Sequence, residues 1–254
     1  MSAPTTSDCN QYAARAHGSS LQRLVIQPFY DVDGITIYCG DCREIVPLLG
    51  RFDLLLTDPP YGLGEGTWDT NAKGPKRQWR LHHEQMGWDA EVADVSALLP
   101  VADKQIIWGG HLMNLPTQRA WLVWNKIVRN FSSGVCELAW TNLDCPIDAF
   151  DYSHGQLATE GKQHPTQKPL KLMAWCIGKA GKVQTILDPY MGSGTTLRAA
   201  KDLGLRAVGI EVNETYCRQA VARLAQGVLR LDNAKLCNSP EAARSRSEKG
   251  TDSK

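Results

Sequence analysis

The fold of this chain is decided by the stretch TILDPYMGSGTT, residues 185–196, together with the helix-like residues 197–203 that follow it. The stretch begins with a short apolar, β-branched run and then turns through two glycines. Strand, glycine turn and helix form the start of a nucleotide-binding βαβ unit, in which glycines let the backbone approach a ligand at the helix N-terminus. The stretch therefore predicts an α/β fold with a ligand site at the turn.

Acidic residues near the turn narrow the choice of ligand. Glu211 lies near the end of the next predicted strand, about 20 residues beyond the glycines, where an acidic side chain can bind the two hydroxyls of a ribose. A third glycine and a Gly-Lys-Ser/Thr sequence are both missing, which disfavours a dinucleotide and a nucleoside triphosphate. Asp188 would repel phosphates but could hold an ammonium group. The pattern favours S-adenosylmethionine, which has an amino acid at one end and adenosine at the other.

A second motif, Asp58-Pro59-Pro60-Tyr61, follows the apolar run at residues 52–56. Proline fixes its own φ and biases the preceding residue toward extended geometry, so this loop should be stiff. The Asp58 carboxylate and the carbonyl before Pro60 can accept hydrogen bonds from an NH2 group, while the Tyr61 ring offers a stacking face. The motif suits chemistry on the amine of a flat base, and the alternative is a simple strand-ending turn.

These motifs together resemble the amino-methyltransferases that methylate the exocyclic nitrogen of adenine or cytosine in DNA. The order of the motifs, catalytic before cofactor-binding, resembles the circularly permuted group often called the β class. Residues 164–169, HPTQKP, match a third motif, which in the family lies over the methionine end of the cofactor. Gly40-Asp41 resembles a fourth, whose aspartate contacts the cofactor adenine. The resemblance spans about residues 35–225.

Alternation of strand-like and helix-like segments predicts an open, doubly wound, mostly parallel sheet with helices on both faces. The resemblance implies a Rossmann-like methyltransferase sheet of seven strands with one reversed. Strands are predicted at residues 35–38, 52–57, 104–108, 120–124, 136–141, 185–187 and 206–212. Helices are predicted at residues 89–99, 169–180, 195–203 and 214–225.

Ligands of such sheets bind beyond the carboxyl ends of the strands. Asp58, Asp188 and Glu211 all lie at predicted strand ends, so we expect them to converge on one cleft. The predicted catalytic residues are Asp58, Pro59, Pro60 and Tyr61. The predicted cofactor-binding residues are Asp41, Thr166, Lys168, Asp188, Tyr190, Gly192, Ser193, Gly194, Thr195 and Glu211; Thr166 and Lys168 are expected at the cofactor carboxylate.

Candidate DNA contacts follow the catalytic loop directly. Residues 71–83 carry four cations and no carboxylate, and Trp68 and Trp79 lie beside and among them, which suits a loop that clamps a strand and displaces a base. A plain solvated loop is the alternative. The predicted DNA-binding residues are Trp68, Lys73, Lys76, Arg77, Trp79, Arg80 and Arg129. The resemblance places a short recognition segment within about residues 126–163.

The expected reaction is transfer of a methyl group from S-adenosylmethionine to the N6 amine of a flipped-out adenine in DNA. Adenine is preferred because, among relatives with this motif order, aspartate at the first catalytic position accompanies adenine more often than cytosine. Cytosine-N4 methylation is the alternative. A catalytically silent DNA-binding subunit would show a damaged motif, and both motifs are intact. Relatives that methylate protein glutamine or RNA more often carry asparagine first and the opposite motif order.

Composition agrees with a globular enzyme. The chain has 254 residues, 43% of them hydrophobic, which suits one domain at residues 21–232 between disordered segments at 1–20 and 233–254. Apolar runs are too short to span a bilayer, so we expect a cytoplasmic protein without a membrane partner. Cys39 and Cys42 lack a second pair, so no metal is expected. The expected partner is double-stranded DNA, with a restriction endonuclease as a candidate protein partner and a monomer or homodimer as the assembly.

Overall fold

The structure, a computed structural model, describes residues 26–62, 92–127, 134–153 and 167–227, and a single mixed sheet lies at the centre of this part. Its strands are β1 (Tyr30–Val32), β2 (Ile35–Cys39), β3 (Phe52–Thr57), β4 (Ala102–Trp108), β5 (Trp121–Asn125), β6 (Cys136–Thr141), β7 (Asp148–Asp151), β8 (Thr185–Asp188) and β9 (Arg206–Glu211). They lie side by side in the order β1-β2-β9-β8-β3-β4-β6-β5-β7. Only β1 and β6 of these strands run opposite to the rest.

Helices cover both faces of the sheet. The α-helices of the described part are α1 (Cys42–Ile45), α2 (Leu170–Lys179), α3 (Thr195–Asp202) and α4 (Glu214–Leu224). Apolar residues of α2, α3 and α4 join one hydrophobic cluster with alternate residues of the strands. Residues of α1 and of the 3-10 helix Ser96–Val101 join a second cluster on the opposite face.

The central strand β3 shows why the sequence pattern predicted this architecture. Leu54 and Leu56 point into the first cluster and Leu55 into the second, and all three are fully buried. A strand that is covered on both faces is apolar throughout instead of alternating, as is typical of parallel α/β sheets. Parallel pairing of β3 with β4 and with β8 agrees with this pattern. The prediction of a mostly parallel α/β sheet is therefore confirmed.

The sheet has nine strands in the described part, two more than the seven that the resemblance implies. The additional strands, β1 and β7, lie at the two edges, and the seven strands between them include the single reversed strand β6. Both edge strands contain aspartate and therefore lack the apolar run of a buried strand. The β1–β2 hairpin turns through Asp33 and Gly34, which have φ of 54° and 77°, and such a turn favours Asp-Gly.

The helix predicted at residues 89–99 is not an α-helix where the structure describes it. Residues 93–95 have no regular structure, and Ser96–Val101 form a 3-10 helix that contains Pro100. Proline disfavours α geometry at the residue before it, so Pro100 acts against an α-helix that extends through Leu99. Residues 89–91 lie outside the described part, as do the predicted terminal segments 1–20 and 233–254.

The apolar runs of the sequence were predicted to be too short to span a bilayer. None of the helices in the described residues is both long and apolar enough to cross a bilayer.

Candidate active site

Three acidic residues mark the carboxyl edge of the sheet. Glu211 ends β9, Asp188 ends β8 and Asp58 directly follows β3, and these strands are neighbours in the sheet. The strand that follows β8 in the sequence, β9, lies on one side of the β8–β3 pair, and the strand that follows β3, β4, lies on the other side. The winding direction of the sheet therefore reverses between β8 and β3. Open α/β sheets bind ligands at such a switch point. The three acidic residues therefore lie at neighbouring strand ends on one edge of the sheet.

A hydrogen bond joins β3, which precedes the Asp58 motif, to β8, which precedes the glycine turn. The Thr57 hydroxyl, at the end of β3, donates a hydrogen bond of 2.9 Å to the Asp188 carboxylate. The Tyr190 amide also donates to this carboxylate at 3.3 Å. Asp188 is 2% exposed, and burial raises its pKa to about 7. A buried acid with this pKa loses its proton readily when a cation approaches.

Backbone amides fix the carboxylate of Glu211. One oxygen accepts from the Gly192 amide at 3.1 Å and the other from the Asn213 amide at 2.8 Å. Burial raises the pKa of Glu211. A carboxylate has about four acceptor positions, so acceptor capacity remains for ligand hydroxyls beside the backbone amides of Gly192, Val212 and Asn213.

The glycine turn is held in place from helix α4. Gly194 has φ of 78°, and a Cβ there would lie 2.7 Å from Cβ of Ala220, so only glycine allows α4 to pack this closely. The guanidinium of Arg223, also on α4, donates to the hydroxyls of Thr195 at 2.7 Å and Ser193 at 3.3 Å. It also donates to Gln167 Oε1 at 2.7 Å, which ties the third motif to the turn.

Arg223 was not predicted as a site residue, because a helical arginine about 30 residues beyond the turn resembles any surface cation in the sequence.

Asp41 lies at the same sheet edge as Glu211. The Gly40 amide donates to the Glu211 carbonyl at 3.0 Å, which places the Gly40-Asp41 motif next to the predicted ribose-binding residue. Asp41 itself is the N-cap of α1 and accepts from the Arg43 amide at 2.8 Å. Its hydrogen bonds to Arg43, together with the Arg43 charge, lower the pKa of this carboxyl.

The Asp58 motif forms a second group of contacts. The Tyr61 hydroxyl donates to one oxygen of the Asp58 carboxylate, and the Ala93 amide donates to the Pro60 carbonyl at 3.1 Å. Gly109, with φ of 70°, lies against the Tyr61 ring so closely that a Cβ at this position would overlap the ring. Gly109 was not predicted as a site residue, because its contact depends on the pairing of β3 with β4.

Lys168 lies in this second group. Its ammonium donates to the other Asp58 oxygen at 2.6 Å and to the Tyr61 hydroxyl at 3.1 Å. Its side chain is 5% exposed and that of Asp58 22%. Burial acts to lower the pKa of Lys168, but the carboxylates of Asp58 and Glu137 outweigh burial and raise this pKa well above its ordinary value. The prediction put Lys168 at the cofactor carboxylate, whereas the structure shows it on Asp58.

Burial also acts on Asp58 and Tyr61. It raises the pKa of Asp58, although the neighbouring Lys168 ammonium opposes the rise. Burial and the Asp58 charge raise the pKa of Tyr61 well above its ordinary value, so the hydroxyl stays protonated and continues to donate. The site therefore presents a carboxylate held by two donors, with an aromatic ring beside it.

Several predicted residues lie outside the described part of the chain. They are Thr166 and all the predicted DNA contacts, Trp68, Lys73, Lys76, Arg77, Trp79, Arg80 and Arg129. Within the described part of the chain, no group of three or more His, Cys, Asp or Glu side chains could hold a metal ion.

Comparison with known proteins gives consistent matches. Residues 102–222 match the N6_N4_Mtase family model, described as DNA methylase. Type II methyltransferase M.HpaI of Haemophilus parainfluenzae is 35% identical over 221 residues, which cover 68% of each chain. Type II methyltransferase M.ScaI of Streptomyces caespitosus is 23% identical over 272 residues, covering 81% of this chain and 86% of the relative.

Among solved structures, PvuII DNA methyltransferase (cytosine-N4-specific) is similar with a TM-score of 0.51 at 14% identity, covering 82% of this chain and 92% of that protein. At this identity the similarity supports the α/β fold.

Proposed function

This chain belongs to the family of DNA amino-methyltransferases, and we propose that it transfers a methyl group from S-adenosylmethionine to the N6 amine of a flipped-out adenine in double-stranded DNA. The observation that carries the proposal is the 2.9 Å hydrogen bond from Thr57 to Asp188, since it joins the strand that delivers Asp58 to the strand that opens the glycine turn. A base amine and a nucleoside cofactor can meet only if these two strands deliver their motifs to one place.

The residues present fit S-adenosylmethionine. Glu211 keeps acceptor capacity for the ribose hydroxyls, and Asp188 is a buried acid that can balance the ammonium of the methionine end. Asp41 is assigned to the adenine ring, and Tyr190 and the turn residues Gly192, Ser193, Gly194 and Thr195 to the methionine end. Thr166 and Lys168 were predicted at the cofactor carboxylate, and we retain this role for Thr166. When bound, S-adenosylmethionine supplies the electrophilic methyl group that the amine nitrogen takes up.

The Asp58 motif acts on the base. An adenine must leave the duplex to reach this sheet edge, which costs a few kcal/mol of stacking and pairing. Tyr61 stacks on the base, while the Asp58 carboxylate and the Pro59 carbonyl accept hydrogen bonds from its NH2 group. These bonds favour a pyramidal nitrogen whose lone pair is withdrawn from the ring and is available for bond formation. We also assign to Asp58 the proton that the nitrogen releases.

DNA contacts are assigned to the cationic and aromatic residues between Trp68 and Arg80 and to Arg129. Cations neutralise phosphates and supply most duplex affinity, and aromatic rings stack on displaced bases. Replacement of Lys76 and Arg77 by glutamine should weaken duplex binding and reduce its dependence on salt concentration.

One experiment tests the proposal and identifies the base. The full-length enzyme is incubated with methyl-labelled S-adenosylmethionine and unmethylated duplex DNA, and the DNA is digested to nucleosides that are separated by chromatography. Label in N6-methyl-2′-deoxyadenosine supports the proposal, whereas label in N4-methyl-2′-deoxycytidine would replace adenine by cytosine as the target. Label that appears only with RNA or a protein substrate would overturn the DNA assignment.

A further inference from the structure

A row of four alternating charges begins at Asp58, and its two lysines are buried. The Lys168 ammonium, 2.6 Å from Asp58, lies 3.0 Å from the Glu137 carboxylate, and Glu137 in turn lies 2.8 Å from the Lys126 ammonium. The two lysines are 5% and 3% exposed and Glu137 is 26% exposed. None of the roles assigned above uses Glu137 or Lys126.

The members of this row come from distant parts of the chain. Glu137 lies on β6, Lys126 directly follows β5, and Lys168 precedes α2. A strand pairing brings the first two together, because Glu137 is opposite Trp124 in the register of β5 and β6. Burying a charge is costly unless it is paired and hydrogen-bonded, so such a row persists only when each charge has a partner of opposite sign.

The geometry around Lys168 shows what Glu137 contributes. A lysine ammonium has three donors on a flexible four-carbon stem, so a single carboxylate leaves its position loosely defined. Here the ammonium has three acceptors, Asp58, Glu137 and the Tyr61 hydroxyl, at 2.6 to 3.1 Å. The rings of Tyr61 and Trp108 each lie 5.5 Å from it. Of these three acceptors, only Glu137 lies outside the motif at residues 58–61.

We propose that Glu137 is a positioning residue for methyl transfer, which holds the Lys168 ammonium against Asp58 so that this carboxylate stays correctly oriented toward the target amine. The inference rests on the proposed function and adds a residue to its machinery. Burial acts to raise the pKa of Glu137, but Lys168 and Lys126 outweigh it and lower the pKa to about 2, so Glu137 carries its charge at neutral pH.

Glu137→Gln in the full-length enzyme tests this role, since glutamine keeps the size of the side chain but removes its charge. We expect kcat for duplex DNA to fall by about tenfold while the Kd for S-adenosylmethionine changes by less than about twofold. Asp103→Asn is the matched control, because Asp103 forms an exposed ion pair with Arg51 near the amino ends of β3 and β4. This control should leave both constants unchanged.

A double-mutant cycle distinguishes positioning from a separate effect. If Glu137 acts through Lys168, then Glu137→Gln should change kcat by less than about twofold in a Lys168→Met enzyme. Full additivity of the two effects would overturn the proposal. So would an unchanged kcat in the Glu137→Gln enzyme beside an active wild type. An inactive wild type would instead remove the proposed function itself.

A charge-balanced variant distinguishes a loss of activity from a loss of folding. Lys126→Met combined with Glu137→Gln removes one cation and one anion, so no unpaired charge is left by this change in the row. Thermal unfolding of this variant should match the wild type more closely than that of Glu137→Gln, yet its kcat should remain low. Recovery of wild-type kcat in the double variant would also overturn the positioning role.

Discussion

Two parts of the site lie side by side at the carboxyl edge of the sheet but are held by different contacts. The nucleoside part, which comprises Asp188, residues 192–195 and Glu211, is fixed by backbone amides, by the packing of α4 and by side-chain donors from outside the part, Thr57 and Arg223. The amine part, which comprises Asp58, Tyr61 and Lys168, is fixed by side chains that bind one another.

The two parts should therefore differ in how far a substitution in one residue disturbs its neighbours. Backbone amides stay in place when a neighbouring side chain is replaced, so a substitution in the nucleoside part should act locally. Side chains that share partners are coupled, and removal of one shifts the others. The nucleoside part should therefore tolerate damage to the amine part, whereas members of the amine part should fail together.

The sharpest test removes Asp58. Asp58→Ala takes away the acceptor for the amine, and we expect methyl transfer to fall by about 10³-fold, since a positioned acid or base typically contributes 10²- to 10⁴-fold. The Kd for S-adenosylmethionine should stay within about threefold, because Glu211 and Asp188 keep their own backbone donors. Single-turnover methylation and isothermal titration calorimetry measure the two effects. Unchanged turnover would refute the role of Asp58.

The converse experiment replaces Glu211 in the nucleoside part. Glu211→Ala removes two hydrogen bonds to the ribose, and at about 1.5 kcal/mol for each the Kd for S-adenosylmethionine should rise about 100-fold. At saturating cofactor the rate of transfer should recover to near the wild-type value, since the amine part is intact. A rate that stays low at saturation would show that the two parts are not separable.

Gly109 tests the packing of the amine part without touching a charge. Gly109→Ala forces the Tyr61 ring to move, and a lost stack on the base, worth about 1–2 kcal/mol, should lower kcat/KM by about 5- to 30-fold. Gly204→Ala is a close control: its φ of 71° matches the 70° of Gly109, but a Cβ there meets no atom within 4 Å. Equal losses of activity in both variants would mean that backbone strain, not displacement of Tyr61, is responsible.

The same contrast explains how much of the site could be predicted from the sequence. Residues 185–211 contain a strand, a turn, a helix and a second strand in one continuous stretch, so Asp188, the glycines and Glu211 follow from local pattern. The strand bounds Phe52–Thr57 and Cys136–Thr141 were predicted without error because apolar content marks them.

The amine part was predicted less completely, because its partners depend on which strands become neighbours. Glu137 reaches Lys168 only because β6 runs reversed beside β4, and the sequence of β6 carries no sign of that partner. Gly109 meets Tyr61 only because β3 and β4 pair. A lysine before a proline suggests a cofactor contact or a helix cap, and only the fold shows that Lys168 turns toward Asp58.

The smallest effect that we expect is a pH dependence confined to the nucleoside part. With a pKa of about 7 in the free enzyme, Asp188 is largely protonated below pH 7 and ionised above it. The ammonium of the cofactor favours the ionised acid, so binding must release this proton at low pH. The Kd for S-adenosylmethionine should therefore be constant well above pH 7 and should rise by up to about tenfold for each pH unit below 7.

Asp188→Asn assigns this dependence to Asp188. The variant should bind S-adenosylmethionine more weakly at pH 8, because an amide cannot balance the ammonium, but its Kd should lose the rise that Asp188 causes between pH 7 and 6. Glu211 also has a raised pKa, so a rise that persists unchanged in the variant would place the titration on Glu211 instead. Titration calorimetry in buffers of different ionisation enthalpy counts the protons released. Because Asp188 contacts Thr57 of β3, a proton count that changes in Asp58→Ala would show that the nucleoside part responds to the amine part after all.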